Sequence, residues 1–413
     1  MRSAHCDIEQ AFHRLQAFRT SMTAGLEPVP RRLTRDDLEP VLGSFGITRV
    51  ADITDLDVIG IPVCSGVRPA SRSLSVSSGK GMTFEAAWVS TVMESCEQAL
   101  AEDAPALTAI VDSPQGLARR GLRSVPLDRQ SRCATRHLPP DKELAWVRGM
   151  SWLTGEAVYA PYELVGMDMV TLAPWNTLGF RMSSVGLASG GDIATAFTHA
   201  LGELIEDDAL FGTVLAPTGR RAGCVEFIAG EDDELVQAMS RLATAGIEAR
   251  FSIAGDDSAM PVVTAVLLPQ EDGTRERLYF SGSGCGPRLE DAALAALLEA
   301  VQCRALFISG ARDDLFEGEY RGVAGTGTER LFGACRFLPP GDQTDHRMLA
   351  LNDTVGVVAE GGRDIYVFPL GGGGFGFEAV RVLADDLVSM TRPASYVPSG
   401  RAARKLLRQW SLP

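Results

Sequence analysis

The chain has 413 residues, of which 45% are hydrophobic and 22% charged. This length allows one large domain or two of medium size, with enough sequence for a substantial core. The 39 basic and 53 acidic residues give a net charge of −14, which argues against nonspecific binding to nucleic acid or to anionic membranes.

Eight cysteines are scattered along the chain, and none forms a C-x-x-C pair or a cluster with histidine. A structural zinc site is therefore not expected. The chain shows neither a signal peptide nor an apolar run near the length of a membrane span. These features favour a reduced, cytoplasmic protein that binds neither nucleic acid nor membrane.

The first 45 residues are predicted to form a helical lead-in. A helical pattern covers Ile8–Phe18, and a proline-rich break at Pro28 and Pro30 follows. Thr34 then has the character of an N-cap before an acidic first turn, and it predicts a helix that runs to about Ser44.

Strands and helices alternate along the rest of the chain, which predicts an α/β fold of mixed α+β layers. The predicted helices are Thr83–Glu97, Ile193–Ala209, Glu234–Gly246 and Leu289–Ser309. Segment Pro114–Leu138 is predicted to be a surface loop. The predicted strands are Ile47–Ile53, Val58–Val67, Ser71–Ser77, Leu107–Val111, Ala145–Trp152, Ala157–Leu164, Cys224–Ile228, Ala249–Ile253, Val262–Leu268, Leu278–Gly282, Val355–Val357, Arg363–Pro369 and Phe377–Leu383.

Ser90, Glu94 and Glu97 share one stripe of the helix that follows the glycine turn. They stand at i, i+4 and i+7, which places them on one face of the helix. The other residues of this helix are mostly apolar or small, so we expect a buried helix whose two carboxylates are shielded from solvent. Carboxylates in such a place need a cation or hydrogen-bond donors opposite them.

The same spacing recurs farther along the chain. His199, Glu203 and Glu206 again stand at i, i+4 and i+7, among apolar residues of the predicted helix Ile193–Ala209. Two such helices facing one another would form a site for a divalent cation. Carboxylates together with phosphate oxygens are the usual ligands of Mg²⁺.

Three motifs occur in order along the chain. The first is Ser78-Gly-Lys-Gly81 with Ser90-x3-Glu94-x2-Glu97, the second is Gly186-Leu-Ala-x-Gly190 with Glu203-Leu-Ile-Glu206-x-Asp208-Ala209, and the third is Glu299-Ala-x-Gln302-x-Arg304-x5-Gly310-Ala-Arg312-Asp313. Together they resemble the successive signatures of the YcaO family, over residues 45–320 and more weakly to residue 402.

The resemblance implies a YcaO-like fold with a nucleotide site between the carboxylate-bearing helices, and ATP and Mg²⁺ as cofactors. It also implies an enzyme that activates the oxygen of a peptide backbone amide. A nucleophile adds to the amide carbonyl, ATP phosphorylates the resulting oxyanion, and phosphate then leaves. The nucleophile decides whether the product is an azoline, a thioamide or an amidine.

Carried over to this sequence, the resemblance predicts the roles of individual side chains. The arginines Arg304 and Arg312 are predicted to hold phosphate charge during catalysis, although each has the alternative of pairing with Asp313 or Asp314. The early basic residue of the family corresponds to Arg31 or Arg32. The predicted metal ligands are Glu94, Glu97, Glu203 and Glu206, and the predicted nucleotide contacts are these four with Thr34, Lys80, Ser90 and His199.

A narrower resemblance concerns the subgroup. Gly46-Ile-Thr-Arg-Val-Ala-Asp-Ile-Thr-x-Leu-Asp-x-Ile-Gly-Ile-Pro62, and then Arg68-Pro-x-Ser-Arg-Ser-Leu-Ser-Val-Ser77, are similar to YcaO proteins encoded beside a TfuA partner. That similarity implies thioamide formation in a ribosomally made precursor peptide, with a TfuA-type protein as partner. Two alternatives stay open: an azoline-forming cyclodehydratase that acts on Cys, Ser or Thr, and a noncatalytic ATP-binding accessory factor of a sulfur-inserting methylthiotransferase. A homodimer is also left open.

The predicted domain organisation has three parts. Residues 1–45 form the lead-in, residues 46–402 form a YcaO-like catalytic domain, and residues 403–413 form a basic C-terminal tail. No composition break sharp enough for a linker separates the motifs. We therefore expect all of them to belong to one catalytic unit.

Overall fold

In a computed structural model, the described residues form three β-sheets with helices packed against them. The structure describes residues 8–26, 29–130, 139–170, 173–175, 177, 179–180, 182–215, 224–225, 234–254, 258–269, 279–314, 337–338, 351–387 and 407. The predicted mixed α/β fold is confirmed. The predicted C-terminal tail lies outside the described residues apart from Leu407, and the proposed domain boundaries stay predictions.

The helices of the described residues are numbered in chain order. They are α1 (Ile8–Thr23), α2 (Arg35–Leu38), α3 (Phe84–Ala101), α4 (Ala104–Leu107), α5 (Pro114–Arg119), α6 (Tyr162–Val165), α7 (Ile193–Leu215), α8 (Glu234–Thr244), α9 (Leu289–Ser309) and α10 (Leu351–Val358). Short 3₁₀ helices cover Glu39–Phe45, Thr54–Leu56, Leu127–Arg129 and Gly373–Phe375.

The strands are β1 (Arg49–Asp52), β2 (Val63–Val67), β3 (Val76–Lys80), β4 (Thr108–Asp112), β5 (Leu144–Ser151), β6 (Ala157–Pro161), β7 (Leu187–Gly190), β8 (Cys224–Val225), β9 (Ile247–Ile253), β10 (Val262–Pro269), β11 (Phe280–Cys285), β12 (Phe337–Leu338), β13 (Ile365–Gly371) and β14 (Glu378–Ala384). They form a sheet in the order β1-β2-β3, a second in the order β11-β10-β9-β8-β12, and a third in the order β4-β5-β13-β14-β7 with β6 beside β5.

The third sheet separates the two carboxylate-bearing helices. Alternate residues of a strand point to opposite faces, and in β13 Tyr366 and Phe368 pack in the core that contains α3, whereas Ile365 and Val367 pack in the core that contains α7. Both faces of β13 and β14 are therefore buried. Both helices contact β7, the last strand at this end of the sheet.

Most predicted elements are confirmed, with shifted ends. The helix predicted from Thr34 changes to 3₁₀ geometry at Glu39, next to Pro40. The predicted strand Val58–Val67 begins only at Val63, because Gly60 has a φ of 71° and Pro62 follows it. The predicted strand Ser71–Ser77 is replaced by β3. In that region Ser71 and Ser73 instead donate hydrogen bonds to the buried Glu102 carboxylate.

Three other predictions are corrected. The predicted strand Val355–Val357 lies in helix α10, where Thr354, Val355 and Val358 share a buried helical face. The strand that begins at Ala157 ends at Pro161, and the short helix α6 follows it. The predicted loop from Pro114 contains helix α5, which the Ser113 side chain caps, and residues 131–138 of it lie outside the described residues.

One described helix is long and apolar enough to cross a membrane. It is α9, with a mean hydropathy of 1.5, and 44% of the window that passes this test is buried. No membrane span was predicted here from the sequence, because charged residues such as Glu299 and Arg304 interrupt the apolar run. In the fold, α9 packs on β10 and β11. It contributes alanine and leucine side chains to a hydrophobic core shared with α8, β9 and β10, which is the environment of a core helix.

Candidate functional site

Helix α3 carries the first carboxylate stripe. Thr83 caps its N-terminus by accepting a hydrogen bond from the Ala86 amide at 3.2 Å. The apolar side of the helix is buried in the hydrophobic core that also contains Tyr366 and Phe368 of β13. Ser90, Glu94 and Glu97 lie on its other side and line a cavity. The predicted stripe is therefore present, but its carboxylates are half-buried and face this cavity instead of a dry interior.

Gly79 allows strand β3 to lie directly against α3. A Cβ atom at this position would lie 2.2 Å from the Thr91 amide nitrogen and 2.4 Å from the Ala87 carbonyl oxygen. This close approach brings the Ser78 amide within 3.3 Å of a Glu94 oxygen. The glycine of the first motif is thus a packing requirement that places a backbone donor on a site carboxylate.

Strand β7 supplies the donors for the other two facing carboxylates. The Ser189 amide and hydroxyl both donate to one oxygen of Glu97, at 2.9 and 2.6 Å. The amide of Gly186, just before β7, donates to Glu203 at 3.0 Å. One stretch of backbone therefore contacts a carboxylate from each helix.

Helix α7 carries the second stripe. His199 and Glu203 line the cavity and are reached by solvent through it. Glu206 is not part of the lining and accepts a hydrogen bond from the Ser283 hydroxyl of β11. The surrounding protein disfavours the charged imidazolium and lowers the pKa of His199, even though solvent reaches the ring through the cavity.

The cavity has a volume of about 860 Å³, within the range of small-molecule sites. It brings together residues of α3, α7, β3 and β7, a segment before α2, and Gln302 of α9. The lining is Pro30, Arg31, Arg32, Leu33, Thr34, Ser78, Lys80, Thr83, Glu85, Ala86, Val89, Ser90, Met93, Glu94, Glu97, Ser189, Gly190, Gly191, Thr195, His199, Glu203 and Gln302.

All four predicted metal ligands have raised pKa values. Burial is the main cause, and it raises the pKa of Glu94 to about 6, that of Glu97 to about 8 and that of Glu206 to about 7. The pKa of Glu203 is raised well above its ordinary value, first by partial removal of the carboxyl group from bulk water and then by the nearby Glu97 charge, although solvent still reaches this side chain through the cavity. Carboxylates that resist ionisation in this way would be stabilised by a bound cation.

Lys80 lies among these carboxylates. Its ammonium group is 3.6 Å from Glu299, a carboxylate of α9 that was not predicted as a site residue. The Lys80 charge lowers the pKa of Glu94 and of Glu206, and the Glu299 charge raises both. Lys80 therefore serves as an internal countercharge at the end of the cavity where β3 meets α9.

The segment before α2 covers one side of the cavity. The carbonyl group of Arg31 packs so closely on Gly191 that a Cβ there would lie 2.2 Å from the carbonyl oxygen. The Arg31 guanidinium is held by the Gly376 carbonyl at 2.9 Å and by Asp37 at 3.3 Å. Thr34 lines the cavity, but its hydroxyl donates to Asp37 at 2.8 Å and so belongs to the cap of α2.

Arg32 is the exposed neighbour in the same segment. Its side chain lines the cavity and, within the described part of the chain, makes no hydrogen bond or ion pair. Arg31 is committed to protein partners, so the structure favours Arg32 as the early basic residue that would meet a phosphate.

The two predicted catalytic arginines lie outside the cavity lining. Arg304 pairs with Asp57 at 2.9 Å and stacks over the ring of Phe280. Arg312 forms a two-point ion pair with Asp314, although its charge is near enough to lower the pKa of Glu94. Arg312 makes the Asp314 pair of its alternative interpretation, whereas Arg304 pairs with Asp57 and not with Asp313 or Asp314. A role in phosphate binding would require both arginines to leave these partners.

Several cavity contacts were not predicted. Gln302 donates to the carbonyl and hydroxyl of Ser78 at 3.0 and 2.6 Å, which ties α9 to the end of β3. Glu299 and Gln302 both belong to the third motif and stand at i and i+3 on one helix, but neither was assigned a role in the site from the sequence. Ser189 and Gly186 act through backbone amides, for which the sequence holds no comparable signal.

An oxygen-rich donor set of carboxylates and hydroxyls suits Mg²⁺. Among the described side chains, no group of three or more His, Cys, Asp or Glu residues comes close enough together to hold a metal ion alone. Glu94, Glu97 and Glu203 each accept a hydrogen bond from a different backbone amide. Mg²⁺ here would need further ligands, and nucleotide phosphate oxygens supply them in many sites.

A family model described as YcaO cyclodehydratase, ATP- and Mg²⁺-binding, matches residues 78–388. The chain belongs to the YcaO family. A relative from Rhizobium leguminosarum bv. trifolii, described as an uncharacterized protein in the tfuA 3′ region, is 33% identical over 386 residues, which is 90% of each chain. The predicted family is confirmed, and the predicted cofactors ATP and Mg²⁺ are those of the family.

Solved structures share the YcaO fold. YcaO from Methanopyrus kandleri, bound with AMPPCP and Mg²⁺, superimposes with a TM-score of 0.63 at 22% identity, covering 84% of this chain and 88% of that one. A heterocyclase in complex with substrate and cofactor superimposes with a TM-score of 0.67 at 16% identity, covering 90% of this chain and 56% of that one. The YcaO-like architecture is therefore confirmed.

Proposed function

We propose that the protein uses ATP and Mg²⁺ to activate a backbone amide of a precursor peptide, and that a TfuA-type partner takes part in converting that amide to a thioamide. The observation that carries the first half is the cavity between α3 and α7, with its facing carboxylates and its basic residues. The description of the Rhizobium relative supports the second half, since it places that relative in the tfuA 3′ region.

In this proposal ATP supplies the phosphoryl group that turns the amide oxygen into a leaving group, and Mg²⁺ neutralises phosphate charge. Glu94, Glu97 and Glu203 would hold the metal, while Arg32 and Lys80 would compensate the remaining negative charge. The backbone amides at Ser189 and Gly186 hold the glutamates in place before binding. Catalysis would then consist mainly of positioning and electrostatic stabilisation.

Replacement of Arg32 by glutamine is expected to weaken binding of Mg²⁺ and a nonhydrolysable ATP analogue by about tenfold, the effect of losing one charge-assisted hydrogen bond. Calorimetric titration measures the affinity. Arg35→Gln is the matched control, because Arg35 is exposed nearby, pairs with Glu39 and is absent from the cavity lining. Equal affinities for the Arg32 variant and the wild type would show that phosphate does not meet Arg32.

The nature of the product is tested by mass spectrometry of a candidate precursor peptide after incubation with the protein, ATP, Mg²⁺, sulfide and the TfuA-type partner. Exchange of backbone oxygen for sulfur raises the peptide mass, and we expect this increase to require both proteins. The second candidate, azoline formation, is favoured by the cyclodehydratase description of the family. It predicts loss of water, without any need for sulfide.

A further candidate, the noncatalytic ATP-binding accessory factor, makes a different prediction for the same mixture. It requires that phosphate release be indifferent to added peptide. Peptide-stimulated phosphate release would exclude this role, and a peptide of unchanged mass with unstimulated release would contradict the proposed amide activation.

A further inference from the structure

Arg381 is a buried cation beneath the site. It lies in β14, between Val380 and Val382, and its side chain is only 2% exposed. Removing a guanidinium from water is costly unless polar groups surround it. Burial lowers the pKa of Arg381 to about 10, so it remains charged at pH 7. A charged side chain in this place needs an explanation.

The partners of Arg381 are backbone carbonyl groups. Its Nε donates to the carbonyl of Leu164 at 3.1 Å, one terminal nitrogen donates to that of Val185 at 2.8 Å, and the other donates to that of Ser183. Among the described residues, no carboxylate lies within ion-pair distance of it. The guanidinium thus fastens the segment 183–185 to β14 through a rigid fork of donors.

The fastened segment leads directly into Gly186. This glycine has a φ of 78°, its carbonyl accepts a hydrogen bond from the Val382 amide at 2.7 Å, and its own amide donates to Glu203 at 3.0 Å. A Cβ on Gly186 would lie 2.5 Å from the Val382 carbonyl oxygen. The turn is therefore pressed against β14 on one side and presents a donor to the Glu203 carboxylate on the other.

The charge of Arg381 favours the ionised form of Glu203, as does the hydrogen bond from the Gly186 amide. It lowers the pKa of Glu203, in opposition to burial and the Glu97 charge, which raise it. Glu203 and Arg381 nevertheless form no ion pair, because the turn lies between them. Glu203 lines the cavity, and one of its carboxylate oxygens accepts the hydrogen bond from the Gly186 amide.

We propose that Arg381 is a positioning residue that holds the turn of residues 183–186, so that the Gly186 amide orients Glu203 toward Mg²⁺ and nucleotide in the cavity. This inference rests on the proposed function for the ligand, but its structural part concerns the turn alone. A simple packing role for Arg381 would stabilise the fold without any specific effect on Glu203.

Hydrogen exchange followed by mass spectrometry tests the structural part in the protein without nucleotide. Arg381→Met keeps much of the side-chain volume and removes the donors, and we expect peptides covering residues 183–187 to exchange at least about tenfold faster. Val380→Ala is the matched control, because Val380 is equally buried in β14 but packs on the α7 side of the sheet. Equal exchange of residues 183–187 in both variants would overturn the inference.

Calorimetric titration with AMPPCP at increasing Mg²⁺ tests the consequence. We expect Arg381→Met to need about tenfold more Mg²⁺ than Val380→Ala for equal nucleotide affinity, and to have little further effect in the Glu203→Gln background. If the wild type binds no nucleotide, the proposed function fails; if it binds and the two variants behave alike, only the inference fails. If Arg381→Met does not fold, Arg381→Lys replaces it in both experiments. Faster exchange of residues 183–187 together with a higher Mg²⁺ requirement than in Val380→Ala would support the inference, and equal behaviour of the two variants would overturn it.

Discussion

Glu94→Gln and Glu203→Gln are each expected to lower ATP turnover by about two to three orders of magnitude or more, without unfolding the protein. Glutamine keeps the shape of glutamate but removes the charge that a Mg²⁺–nucleotide complex requires. The fold tolerates this change, because the pKa values of both residues are raised, and a neutral side chain is what the cation-free site favours. The peptide-stimulated release of phosphate measures the loss.

Two measurements make this prediction specific. The thermal unfolding temperature of each variant without metal should equal or exceed that of the wild type. This result would show that the variant has lost a metal ligand and has not unfolded. Glu290→Gln, an exposed carboxylate in the first turn of α9, should leave turnover unchanged. Wild-type turnover in either Glu94→Gln or Glu203→Gln would refute their assignment as metal ligands.

The metal-free protein is expected to lose stability as the pH rises from 6.5 to 8. A carboxyl group whose folded pKa is raised binds its proton more tightly in the folded state, so its contribution is complete below the unfolded pKa and disappears as the pH passes the folded pKa. The pKa of Glu206 is about 7 and that of Glu97 is about 8, which places the loss in this window. After allowance for water in the cavity, the loss is on the order of 1–2 kcal/mol.

Thermal unfolding in a chelator at these two pH values measures the effect. The pH window starts at 6.5 because His199, whose pKa is lowered by burial, works in the opposite direction at lower pH. Glu97→Gln should flatten the pH dependence, and Mg²⁺ with AMPPCP should stabilise the wild type more at pH 8 than at pH 6.5. A wild-type protein that is equally stable at both pH values would contradict the raised pKa values.

The sequence predicted the parts of the site that lie on long helices. Glu94 and Glu203 each belong to a polar stripe with helical spacing on a helix that is otherwise largely apolar. Such a pattern predicts the structure well, because a helix of this kind buries its apolar side. The segment Val355–Val357 was wrongly predicted to be a strand, since a short β-branched run does not distinguish a strand from a buried helical face. Element type was thus most predictable where the periodic pattern was long.

Contacts between residues that are far apart in the sequence could not be predicted from the sequence alone. The pairing of Arg304 with Asp57, and the choice between Arg31 and Arg32, depend on which side chains the fold brings together. The amide of Ser189 is a donor that every residue except proline possesses, so its role at Glu97 follows only from the placement of β7. The metal ligands stay predictions until a bound complex or the variants above test them.

The backbone around β7 fixes the distance between two of the carboxylates in the site. Gly186 and Ser189 are three residues apart, or roughly 10 Å of extended chain, and each one tethers a glutamate from a different helix. The distance between these two donors depends on peptide geometry, and the pairing of Ser189 with Ala379 of β14 holds this stretch of backbone in place. Conservative repacking of α3 or α7 should therefore preserve the spacing of the carboxylates, whereas an inserted or deleted residue between 186 and 189 should destroy it.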